Sequence, residues 1–100
     1  MEILKEEQGN ELILQVKGRL DTNAAPLLGE AVEESVVDGV NHLVIDMADC
    51  DYVASSGLRV ILAAQKKMNS VPGTMVVKNV IGDVMEVFEM TGFADILTFE

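Results

Sequence analysis

One stretch restricts this chain more than any other. Leu43-Val44-Ile45 is a run of apolar, β-prone residues that reads as a buried strand, and Asp46 closes it. Asp49 and Asp51 break the pattern with loop chemistry, and Tyr52 and Val53 return briefly to extended structure. Ser55-Ser56-Gly57 follows, and from Leu58 onward Ile61, Leu62, Gln65 and Met68 recur at spacings of three, four, seven and ten. That is a helical stripe, apolar at all but Gln65. A strand, a loop, two hydroxyls and an amphipathic helix in this order place both serines at a helix start. There a serine is the expected N-cap, and the free N–H groups with the positive end of the helix dipole favour an anion. A phosphate on either serine would be tolerated by the fold and open to a partner.

The flanking segments repeat the alternation of strand and helix. Residues 2–8 and 11–17 read as two strands about Gly9-Asn10, hence an antiparallel hairpin. Leu12, Leu14 and Val16 share one side of the second strand, and Ile13 is the exception. A helix over roughly 23–37 follows, capped by Asp21, Thr22 or Asn23, with Leu28, Val32, Ser35 and Val36 facing inward and Gly39 ending it. Strand 42–47 and the central stretch come next, the second helix running to about Asn69. Pro72-Gly73 then turns the chain into strand 74–78. A third helix over about 81–91 places Ile81, Val84, Phe88 and Thr91 on one face, and residues 96–100 read as a final strand or extended edge. The predicted architecture is a single α/β domain over residues 1–100. Its small mixed sheet of four to five strands opens on an antiparallel hairpin, continues with parallel neighbours, and carries three packed helices.

Charge and composition narrow the partners. Seventeen acidic against seven basic residues leave a net charge of −10, which argues against nucleic acid or an anionic membrane and permits a partner with a basic docking surface. No apolar run approaches the ~20 residues of a membrane span. The first residues lack the basic start and apolar core of a signal peptide, and the single cysteine rules out an internal disulfide, so the expected location is cytoplasmic. Cys50, beside Asp49 and Asp51, has no basic neighbour in sequence to activate it and reads as a structural thiol. No Cys/His cluster offers metal ligands, no Gly-rich cradle offers a phosphate-binding loop, and no cofactor is implied. His42 opens a strand and is not assigned a catalytic role.

Gly18-Arg19-Leu20-Asp21-Thr22, the Asp46 strand with Ser55-Ser56-Gly57-Leu58, and Phe88-Glu89-Met90-Thr91-Gly92-Phe93 together resemble the signature of STAS domains. Within that family the likeness is to the small stand-alone anti-sigma factor antagonists, and it covers essentially the whole chain in order. One departure is that many members carry Asp immediately before the serine pair, where this chain has Ala54. The resemblance implies a binding protein that performs no chemistry of its own. Unphosphorylated, it would bind an anti-sigma factor that is also a serine kinase, and so free the sigma factor. Phosphorylation of the hydroxyl before the glycine, here Ser56 with Ser55 as the alternative, would end that binding until a serine phosphatase reverses it.

Asp21, Thr22, Asp46, Ser55, Ser56, Gly57 and Arg59 are the candidate partner-binding residues. Each also has a local reading: a cap for Asp21, a loop hydrogen bond for Asp46, a surface charge for Arg59. Ala54 opens two alternatives, slower or different phosphorylation, or an STAS module of another signalling complex without phospho-regulation. A serine hydrolase is disfavoured because no Gly-x-Ser-x-Gly elbow or nearby base accompanies the serines.

Overall fold

The computed structural model describes residues 1–100. Strands β1 (Glu2–Gln8) and β2 (Glu11–Leu20) form the opening hairpin. Helix α1 (Ala25–Val37), strands β3 (His42–Asp46) and β4 (Cys50–Val53), and helix α2 (Ser55–Ser70) follow. Strand β5 (Thr74–Lys78), helix α3 (Gly82–Met90) and a 3-10 turn (Phe93–Asp95) complete the chain. The sheet runs β1-β2-β3-β5, with β4 paired to the far end of β2. β1 and β2 are antiparallel and every other pairing is parallel, so the predicted mixed sheet with three helices is what forms.

The hairpin closes on Gly9-Asn10, between the paired Gln8 and Glu11, and Gly9 takes the left-handed φ (+63°) that such a tight turn requires. β2 is longer than its alternation predicts. It continues past Lys17 to Leu20, with Gly18 at a φ of +97°, and its register with β4 shifts between Gly18 and Arg19 because Asp51 is an extra, unpaired residue on β4. One strand thereby serves two parallel neighbours in succession, β3 along Glu11–Gln15 and β4 along Gly18–Leu20.

Leu12, Leu14 and Val16 point to the core face, as their alternation requires. They meet Leu43 and Ile45 of β3, Met75 and Val77 of β5, Leu28 and Val32 of α1, Leu58, Ile61 and Met68 of α2, and Val84 and Phe88 of α3. Ile13 is explained by the opposite face, where it aligns with Val44 and Val76 in one apolar row across three strands. Phe99 bridges to Val77 and stacks edge-on against Phe88, covering the outer side of β5. The tail is thus an extended edge held by a single bridge, after a 3-10 turn that the sequence pattern does not announce.

Two helix boundaries differ from expectation. α1 begins at Ala25 rather than 23, because Asp21 spends two residues on a turn of its own. Ile81 and Thr91 lie just outside α3 and are exposed. Ile81 precedes the helix, and the Thr91 hydroxyl turns back to donate to the carbonyls of Val87 and Phe88. No helix is long and apolar enough to cross a membrane.

Candidate functional site

The two serines are presented at the C-terminal end of β4, but neither caps the helix. Ala54 is the N-cap, in extended conformation (φ −82°, ψ 166°), and no side chain caps the first turn. The position of the turn is fixed from outside the helix: Ala54 N–H donates to the Leu20 carbonyl (2.9 Å), continuing the β2–β4 ladder one residue beyond Val53. The chain enters α2 only there, so Ser55 and Ser56 become its first two residues. Leu58 N–H is the first to find a helical acceptor, the Ala54 carbonyl (3.0 Å). The first turn contains no acidic residue, so the N–H groups and the dipole face a start without a carboxylate.

Gly57 explains how this start is seated. A Cβ there would lie 2.8 Å from Leu20 Cγ and 3.0 Å from the Leu20 carbonyl oxygen, so the helix rests directly on the end of β2. Gly57 is buried, and its part is to let the helix approach rather than to touch a partner. Ser55 is exposed and Ser56 half-buried. The Ser56 hydroxyl donates to Thr22 Oγ1 (3.3 Å) across 34 residues of sequence. Thr22 is carried by the β2–α1 turn, which Asp21 builds: its Oδ1 accepts from the N–H groups of Asn23 (3.1 Å) and Ala24 (2.9 Å). Asp21, Thr22, Ser55, Ser56 and Gly57 therefore converge. Arg59, one turn into α2, is exposed and forms no ion pair.

Asp46 does not join them. It registers with Gln15 of β2, five residues short of Leu20, which is about 16 Å of strand. Its Oδ1 accepts from Ala48 N–H (3.0 Å) and from the Asn79 side chain (3.2 Å), tying the β3–β4 loop to the turn after β5. Asn79 sits at a φ of +60°, a conformation its short polar side chain tolerates. The loop hydrogen bond is the reading of Asp46 that the geometry supports.

Sequence reasoning missed Arg19. Its guanidinium lies 4.0 Å from the centre of the Tyr52 ring, its cross-strand partner, and both are exposed beside the β2–β4 junction. Alternation about buried Leu20 and Val53 was the available signal, but the extra residue Asp51 on β4 hid the register.

The other reactive groups lie away from the serines. Cys50 is fully buried and its Sγ donates to the Tyr52 carbonyl (3.4 Å). Burial pushes its thiol up from the ordinary range, the Asp51 charge adds to this, and hydrogen bonds with the Tyr52 and Leu20 backbone oppose it. It is an unreactive packing residue. His42, at the opposite end of β2, hydrogen-bonds Thr74 Oγ1 through Nδ1, with Glu11 3.6 Å from its Nε2. No histidine or carboxylate hydrogen-bonds either serine, and no cluster of three or more potential metal ligands exists.

A mixed five-stranded sheet with three helices, and two serines at the start of its second helix, defines a small α/β domain. The STAS domain profile matches residues 2–100, and the chain belongs to that family. BtrV of Bordetella bronchiseptica, a candidate anti-sigma factor antagonist, is 31% identical over 96% of this chain and 83% of its own. The anti-sigma-B factor antagonist of Listeria monocytogenes is 30% identical over 94% of this chain and 82% of its own. Among solved structures, an anti-sigma factor antagonist from Mycobacterium paratuberculosis superposes with a TM-score of 0.86 at 25% identity, over 98% of this chain and 83% of that one.

Proposed function

We propose that this chain is an anti-sigma factor antagonist whose binding is switched off by phosphorylation at Ser56. One observation supports this above the rest: an accessible serine at an uncapped helix start, in a chain whose relatives carry that function in their names. The unphosphorylated chain binds an anti-sigma factor that is also a serine kinase, and a separate phosphatase restores the unmodified form. Asp21, Thr22, Ser55, Ser56 and Arg59 form the contact rim. Gly57 seats it, and Asp46 remains outside. The chain is ligand and substrate, performs no catalysis, and works in the cytoplasm.

The physical basis of the switch is local. A phosphate adds about −1.5 to −2 charges. Against a net charge of −10 this is a small global change, and screening confines it to roughly 8 Å. The helix start accommodates the anion, so the fold survives. Bulk, desolvation and repulsion act at the contact instead, and losing ~3 kcal/mol there weakens binding more than a hundredfold.

Incubation with native cytosol and ATP, followed by intact mass measurement, tests the modification. A single added phosphate that Ser56→Ala abolishes is the expected result. Pull-down from the same cytosol tests the switch. Ser56→Asp should lose the anti-sigma factor that the wild-type chain captures, and identical recovery overturns the proposal.

Ala54 favours a second reading, an STAS module of another signalling complex that binds without phospho-regulation. Capture of a partner by a chain that never accepts phosphate would select it.

A further inference from the structure

We infer that the Thr22 hydroxyl is a positioning group for Ser56, holding its oxygen in one orientation and thereby selecting Ser56 over Ser55 for modification. The inference rests on the phospho-switch proposed above and deepens it. A serine at the start of a helix has staggered χ1 wells to choose among, and only a hydrogen bond or packing selects one. Ser56 has a single side-chain partner, Thr22 Oγ1 at 3.3 Å, whereas Ser55 has none and faces solvent. Ala54, immediately before the pair, has no polar side-chain atom to offer.

Thr22 is well suited to the task for two reasons. Its β-branched side chain is stiff at χ1. Its backbone belongs to the turn that Asp21 Oδ1 clamps through two N–H groups, at 3.1 and 2.9 Å. The acceptor is therefore fixed by β2 and the turn after it, not by the helix that carries the serine. Gly57, pressed against Leu20, holds the other side of the same junction. The Ser56 hydroxyl is thus located between two elements, while Ser55 is located by one.

In the transfer itself, the bond from Ser56 Oγ to the γ-phosphorus of ATP forms as the bond to the β–γ bridging oxygen breaks. ADP leaves, and the serine proton passes to a basic group of the kinase. The Thr22 hydroxyl neither gains nor loses a proton overall. It narrows the orientations from which the attack starts.

The test compares wild type, Thr22→Val and Thr22→Ser. Native cytosol and γ-labelled ATP serve as the phosphate source, the chain concentration is varied, and the modified residue is mapped by mass spectrometry. Thr22→Val keeps the branched shape but removes the hydroxyl. It should lower the saturating rate about fivefold, the worth of one neutral hydrogen bond, over and above any change in KM that loss of a rim contact brings, and put a larger share of phosphate on Ser55. Thr22→Ser should restore rate and site. Scalar couplings of the Ser56 side chain, which need no kinase, should report one rotamer in wild type and averaging in Thr22→Val.

Wild-type rate and site in Thr22→Val overturn the inference and leave the switch standing. A raised KM at unchanged saturating rate also overturns it, making Thr22 a docking contact only. A wild-type chain that accepts no phosphate, with its partner still captured, overturns the switch itself and this inference with it.

Discussion

The starts of α1 and α2 lie side by side, each on an alanine without a side-chain cap, and differ in what leads into them. α1 is preceded by Asp21, whose carboxylate satisfies the N–H groups of Asn23 and Ala24 just ahead of the helix, and its second residue is Pro26, whose missing donor is harmless there. α2 begins on Ala54 with two serines aimed away from the cap role and no acid in its first turn. Neither helix has a side-chain cap on its own first turn, but the turn leading into α1 is held by a carboxylate and the entry into α2 is not. The difference teaches that hydroxyls at a helix start need not be structural. Here the cap that stability would favour is absent at the position where an incoming anion would be bound.

Three substitutions break or sharpen this contrast. The largest effect is expected at Gly57, because the added methyl of Gly57→Ala meets the Leu20 side chain at 2.8 Å and its carbonyl oxygen at 3.0 Å. The side chain can shift but the backbone oxygen cannot do so freely, so the variant should lose about 2 kcal/mol in urea unfolding. A fall of under ~0.5 kcal/mol would show that the junction is loose. Asp21→Ala releases the turn that leads into α1 and should lose about 1 kcal/mol. It should also weaken the Ser56–Thr22 hydrogen bond, visible as altered amide shifts at the start of α2. Unmoved shifts would separate the two ends. Ala54→Asp gives the entry into α2 a carboxylate and should add about 0.5 kcal/mol or more by capping that helix. A loss of stability would mean that Ala54 is required by packing and that the uncapped start is incidental.

Most of the scaffold was legible because it follows from short-range patterns. Alternation in Leu12, Leu14 and Val16, the apolar run Leu43–Ile45, and the three-four spacing from Leu58 all placed their elements correctly. Gly39 and Gly92 end their helices at φ +89° and +81°, as glycine-terminated helices do. What escaped was set by contacts between distant residues. The N-cap moved from serine to Ala54 because of a hydrogen bond to Leu20, 34 residues earlier. The extra residue Asp51 on β4 concealed the Arg19–Tyr52 pair. Asp46 looked close to the serines in sequence, yet β3 stops well before β2 does. No local pattern encodes where two strands end relative to one another.

The bearing of Gly57 on Leu20 carries a consequence of its own. Gly57, the neighbour of Ser56, rests on the end of the longest strand, and that strand binds three of the other four. Whatever grips the serine therefore bears on the end of a paired strand instead of on a loop. A partner fitting this corner meets a helix start and a strand end packed in direct contact, with no room for a side chain between them.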